Sequence, residues 1–166
     1  MNRYLQVRDS FDSVFPGIKL AAEVISQPYS RSEREFEQHL MHHSRDDIAR
    51  DFWRQNGDNV TLLLPEAFRY FLPSIIKYSI NELLLVYGED SLCEGVTECV
   101  VMNNILLASG ANLTGNDWYL LRIKQMPNSE RLCVIDYINL LSTHSDILLE
   151  FYIDRTHIQK CIDVWR

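Results

Sequence analysis

The chain has no apolar run long enough to cross a membrane. Spanning the hydrocarbon layer takes about 20 apolar residues. The nearest candidates fall short: Leu62 to Ile76 is interrupted by Glu66 and Arg69, and Val100 to Leu107 is too brief. The opening residues Met1-Asn2-Arg3-Tyr4-Leu5, with Arg8, Asp9 and Asp12 close behind, lack the continuous apolar segment of an export signal. The expectation is a cytoplasmic protein that does not enter a membrane. Cysteine is sparse, with four residues at positions 93, 99, 133 and 161 and no Cys-x-x-Cys pair. That spacing argues against a zinc ribbon or a dithiol redox centre and favours reduced thiols packed as small apolar groups. The six scattered glycines leave no phosphate-cradling loop and no Gly-x-Ser-x-Gly elbow. There is no repeat, low-complexity run or Pro/Gly-rich linker. With 166 residues, 46% of them hydrophobic, the chain is expected to form one domain, 1–166, around a single core.

The most informative absence is that of basic residues from one segment. Between Tyr78 and Leu121 there is no Lys, Arg or His, while Glu82, Glu89, Asp90, Glu94, Glu98 and Asp117 are all acids. The chain as a whole carries a net charge of -7, and the rest of it is nearly balanced, so this segment holds almost all of the excess. Such a single-sign field steers association with basic partners and repels nucleic acid. Direct nucleic-acid binding would call for a basic patch instead. A solvated acidic face that only keeps the protein soluble is the plainer explanation.

What the sequence does have is helical pattern. Val7, Phe11, Val14 and Phe15 recur at spacings of three and four until Pro16-Gly17. Ile18 to Ile25 reads as a short second helix, Ser26 to Ser32 as a loop, and Glu33 to Met41 as a further helix. Ser44-Arg45-Asp46-Asp47 has the form of a capping box, with Ile48, Ala49, Phe52 and Trp53 as an apolar stripe behind it. Pro65 suits a first helical turn and Glu66 its positive dipole end. Pro73 predicts a kink or break before a longer helix that closes at Gly88. This segment is apolar on nearly every side and should be central to the core. Thr97 to Ala108 and Ser129 to Leu141 read as helices, and Leu113 to Met126 as either strand or irregular packing. Ile158, Cys161, Ile162 and Trp165 form the stripe of a docking terminal helix. The expected fold is all-α, an irregular bundle of about six to eight helices with a Pro-kinked central helix.

Leu64-Pro65-Glu66-Ala67-Phe68-Arg69-Tyr70-Phe71-Leu72-Pro73 resembles the L-[TS]-P-E-A-F-R-Y-Y-L-P motif of a family of small, all-helical, immunity-like bacterial proteins of unknown function. Asp46 to Trp53 is similar to the helix before that motif, Arg131 to Leu141 to a late helix, and Ile162 to Trp165 to a closing aromatic helix. Leu64 departs from the pattern, since a Thr or Ser usually precedes the proline and would supply a helix cap. The resemblance implies no catalytic residues. The motif itself reads as scaffold, with Arg69 and Tyr70 needing partners for their polar tips if buried.

Few residue groups invite a chemical reading. Glu35, His39 and His43 stand four apart with His42 beside them, a spacing that zinc uses, yet their surroundings are charged and suit an exposed face. Glu94 and Glu98 could pair as acid and base, but no histidine, arginine clamp or motif accompanies them. His144-Ser145-Asp146 has triad residue types in a sequence order that does not give triad geometry. Cys133 and Cys161 lie on apolar stripes. The expectation is therefore a non-enzymatic protein without cofactor, metal site or catalytic residue. Its favoured function is that of an immunity protein, a stoichiometric inhibitor of a basic bacterial toxin domain such as a nuclease, with Glu89, Asp90, Glu94 and Glu98 as contacts. A regulatory or adaptor module that binds a peptide or subunit is the alternative.

Overall fold

A computed structural model describes residues 2–15, 17, 24–26, 28–85, 95–106, 117–144, 148 and 152–166. The protein is all-α, as the periodicity requires. Among the described residues seven α-helices, α1 (Arg3–Val14), α2 (Arg31–His42), α3 (Arg50–Gln55), α4 (Pro65–Leu85), α5 (Asp117–Gln125), α6 (Asn128–Leu141) and α7 (Arg155–Trp165), accompany a 3-10 segment (Asp58–Leu62) and a π-helix (Thr97–Leu106). Among the described residues there is no sheet, only one isolated antiparallel bridge between Ile25 and Leu63. It is closed by Ser26 N–H to Leu62 O at 3.3 Å and Leu64 N–H to Val24 O at 3.0 Å. No helix among the described residues is long and apolar enough to cross a membrane.

The core forms around α4. Ala67, Phe68, Phe71, Leu72, Ile75, Ile76, Ile80 and Leu83 are all buried, and α1, α3, α5 and the π-helix pack on this helix. Of the kink or break expected at Pro73, the break is absent, for α4 continues through it as one helix. Proline deprives the Arg69 carbonyl of its helical donor, at a cost of about 3 kcal/mol. Burial on every side of the segment offsets that cost, because breaking the helix would expose Leu72, Ile75 and Ile76. Two polar pins fix α4 to the chain before it. Trp53 Nε1 donates to Ser74 Oγ at 3.0 Å, and Tyr78 Oη to the Ile48 carbonyl at 2.8 Å.

α6 packs on α1 and α7. Phe11 of α1 stacks on Phe15 at 5.1 Å and meets Tyr137 of α6 edge-on at 6.4 Å. The terminal stripe docks as expected, with Ile158, Cys161, Ile162 and Trp165 all buried. The segment around Leu113 to Met126 resolves, from Asp117 onward, into the helix α5.

Capping differs from the sequence expectation in an instructive way. Ser44 and Asp47 do not cap α3. Ser44 Oγ donates to Asp47 Oδ2 at 2.6 Å and Asp47 N–H to the Ser44 carbonyl at 3.1 Å, which closes a turn instead. α3 begins only at Arg50, behind Ala49, which offers no side-chain cap. The capping box is at α2, where Ser30 Oγ accepts from Glu33 N–H at 3.1 Å and the Glu33 carboxylate accepts from Ser30 N–H at 3.0 Å. Of the short helix expected over Ile18 to Ile25, positions 18–23 lie outside the described residues, and Ile25 sits in the bridge to Leu63.

Candidate functional site

Of the acids expected to contact a partner, Glu89, Asp90 and Glu94 lie outside the described residues. Glu98 falls within the π-helix, though its side chain also lies outside them. The structure does place Glu82, which the charge count had grouped with the acidic segment. It is 7% exposed and points inward. Its carboxylate accepts from Val96 N–H at 2.7 Å, Thr97 N–H at 2.9 Å and the Thr97 hydroxyl at 2.8 Å. Arg50 Nε adds a fourth donor at 2.9 Å from the half-exposed side.

Glu82 therefore caps the start of the π-helix from a different element. A carboxylate at a helix N-terminus satisfies amides that have no partner within the helix and complements its dipole. Gly95 makes the approach feasible, since a Cβ there would lie 2.6–2.8 Å from the Glu82 carboxylate group. The polar chain continues inward: Ser79 Oγ bonds Thr97 Oγ1 at 2.7 Å and also the Tyr137 hydroxyl. Burial, with Glu82 nearby, pushes the Tyr137 phenol well above its usual range and keeps it protonated. A fully bonded buried chain of this kind fixes one packing of α4, α6 and the π-helix.

A second buried acid is held the same way. Glu130 in the first turn of α6 is 1% exposed and meets Arg69 of α4 in a bidentate pair with both contacts at 2.6 Å. Glu130 in turn raises the Arg69 pKa above the usual arginine value. Tyr70 accepts the Arg45 amide at 3.3 Å, so both polar tips of the motif find partners inside the protein. Arg122 of α5 is buried too. It donates to the carbonyls of Val60, at 3.2 Å, Thr61, at 2.7 Å, and Leu63, and lies over the Phe68 ring at 4.7 Å. Nothing in the sequence pattern marked it, because an arginine between Leu121 and Ile123 reads as a surface residue.

All five histidines are engaged in the architecture. His42 Nδ1 donates to the Gln38 carbonyl at 2.6 Å and His43 Nδ1 to the His39 carbonyl at 2.7 Å. His39 stacks between neighbouring rings of Phe52 and His43, at 4.0 Å and 4.1 Å. His157 Nε2 donates to the Leu106 carbonyl at 3.0 Å. His144 Nε2 and the Tyr4 hydroxyl are 2.8 Å apart. Ser145 and Asp146, its neighbours in the triad-like run, lie outside the described residues. Glu35 is turned to Arg31 at 2.7 Å, and among the described residues no group of three or more His, Cys, Asp or Glu is placed to hold a metal ion. Cys133 and Cys161 are both buried. Burial raises the Cys133 pKa, which suppresses the reactive thiolate.

Two surface recesses stand out among the described residues. One, of about 400 Å³, runs beside the Ile25–Leu63 bridge and is lined by Leu62, Pro65, Leu121 and Arg122. The other, of about 690 Å³, lies between the end of α6 and α7. Its floor is Leu148, Ile153, Ile158 and Ile162 and its rim includes Asn139 and Gln159. No protein family, no curated protein and no solved structure matches the chain.

Proposed function

We propose that this protein is a non-catalytic binding domain that inhibits a basic protein partner stoichiometrically. In its most specific form the reading makes it a cytoplasmic bacterial immunity protein that neutralises a nuclease-type toxin. The observation that carries it is the charge segregation. Between Tyr78 and Leu121 there is no Lys, Arg or His, and Glu89, Asp90, Glu94, Glu98 and Asp117 remain once Glu82 is assigned to the core. A clustered negative field accelerates encounter with a basic cleft and can stand in for phosphate charge. The engagement of all five histidines in helix ends and ring stacks supports a binding reading over acid–base catalysis. The resemblance of Leu64 to Pro73 to an immunity-like motif points the same way.

The test is co-expression with the protein encoded directly upstream. The expected result is co-purification and rescued growth, with a complex that weakens as salt rises. Changing Glu89, Asp90, Glu94 and Glu98 together to Lys should weaken it by tenfold or more, in line with the ~1.4 kcal/mol per decade that rim charges can supply. Absence of both complex and toxicity would remove this reading. The adaptor alternative has one specific observation in its favour, the recess of about 690 Å³ with an apolar floor between α6 and α7. Loss of partner binding on changing Ile158 to Lys, with the acidic residues intact, would favour it.

A further inference from the structure

α2 is anchored at its middle by Phe36 and Leu40, both buried, but its last turn is held by rings. Phe36 stacks on Phe52 of α3 with the ring planes 3° apart, Phe52 on His39 at 4.0 Å, and His39 on His43 at 4.1 Å. The result is a continuous column from α2 to α3 whose outer two members are titratable. His43 Nδ1 donates to a carbonyl, so this nitrogen carries its hydrogen in either charge state and Nε2 is where a proton adds. Neutral imidazoles stack favourably. Two imidazoliums with centres 4.1 Å apart place unit like charges in van der Waals contact.

The surrounding charges are committed elsewhere. On α2, Glu35 is bonded to Arg31 at 2.7 Å, and His42 to the Gln38 carbonyl. On the connection to α3, Asp46 lies 3.9 Å from Arg45, and Asp47 holds the Ser44 hydroxyl. On α3, Asp51 is 3.6 Å from Arg54. We propose that the last turn of α2, His39 to His43, is a pH-sensitive catch. The ring column holds it on Phe52 while at most one imidazole is charged, and the turn opens when both are.

Burial first, and His43 second, hold the His39 pKa below the ordinary 6.5. The opened turn therefore takes up a proton more readily than the closed one. Closure is fully favoured above that ordinary value and is lost as pH falls through the depressed one. The response is local, since Phe36 and Leu40 stay buried and keep the rest of α2 in place.

Ring-proton NMR titration and amide exchange on the full chain test this. His39 should titrate below 6.5. Amide protection over residues 41–43, corrected for intrinsic rates, should fall several-fold from about pH 7.5 to about 5.5, the range in which histidine changes charge. Protection in α1 and α6 should stay constant. His39→Phe keeps the column and removes the titrating centre, so its protection should no longer vary with pH. Should that variant not fold, His43→Gln removes the second charge, and His39 should then titrate closer to 6.5. Protection independent of pH in the wild type, or His39 titrating at or above 6.5, would overturn the proposal.

Discussion

Replacing Glu82 with Ala should destabilise the protein far more than removing the arginine paired with it. The carboxylate satisfies the Val96 and Thr97 amides and the Thr97 hydroxyl, and those two residues are 0% and 1% exposed. Water cannot easily replace the lost acceptor there. A buried amide left without a partner costs about 1–3 kcal/mol, so two of them and the lost packing come to about 3–5 kcal/mol. Arg50 differs, for its side chain is 43% exposed and returns to water. Arg50→Ala leaves the carboxylate with three donors and should cost about 1 kcal/mol. Urea unfolding monitored by tryptophan fluorescence measures both values, and an unchanged denaturant slope would show that the unfolded state is comparable. In thermal melts a domain of this size loses about 2–4 °C per kcal/mol, so Glu82→Ala should fall by roughly 10 °C and Arg50→Ala by about 3 °C. Equal losses would refute the reasoning, because they would make the ion pair, not the trans-acting helix cap, the source of stability.

Other perturbations read out the same core. Phe68→Ala, at a residue 1% exposed beneath the Arg122 guanidinium, should lose about 3–5 kcal/mol in equilibrium unfolding; a loss under about 1 kcal/mol would contradict a scaffold role for the motif. Arg69→Ala strands the buried Glu130 carboxylate and should cost about 3–5 kcal/mol, whereas Arg69→Met combined with Glu130→Leu should recover most of it. Gly95→Ala drives a methyl group into the Glu82 carboxylate and should cost about 1–3 kcal/mol. In a Glu82→Ala background that penalty should largely vanish, which a double-mutant cycle would detect as strong coupling. Cys133 and Cys161, both buried, should resist iodoacetamide in the native protein and react on unfolding, as peptide mapping by mass spectrometry can show.

The helices were legible where an apolar stripe faces the core. α1, α6 and α7 follow from their spacing, and the central place of α4 follows from its apolar residues on all sides. Sequence patterns were less reliable where two local signals compete. Ser44 and Asp47 have the residue types of a capping box, but Asp47 takes the Ser44 hydroxyl and no longer offers a cap to α3. Pro73 signals a kink or a break, and tertiary burial keeps α4 one helix through it. α5 was ambiguous because Trp118, Tyr119 and Leu120 suit a strand as well as a helix, and only a neighbour can decide. The helix that starts at Thr97 was legible, but its π form was not, since that start is held by Glu82, a residue fifteen positions before Thr97. The motif residues Arg69 and Tyr70 could be flagged as needing partners, but Glu130 and Arg45 could not be named from one sequence.

These pairings also change what the charge count means. Arg50 compensates the charge of buried Glu82, and Arg69 that of buried Glu130, so the net charge of -7 is unaltered. The distribution does change. One of the two acids comes from the base-free segment, whereas both arginines come from outside it. The segment keeps Glu89, Asp90, Glu94, Glu98 and Asp117 with no base among them, and the remainder of the surface becomes slightly acidic instead of neutral. Arg122, buried against three backbone carbonyls, removes a further cation from solvent. The outer field is thus more uniformly negative than the sequence order suggests. A partner selected by that field should respond to ionic strength across the whole interface, and charge reversal confined to Glu89, Asp90, Glu94 and Glu98 should reduce that salt dependence without abolishing it.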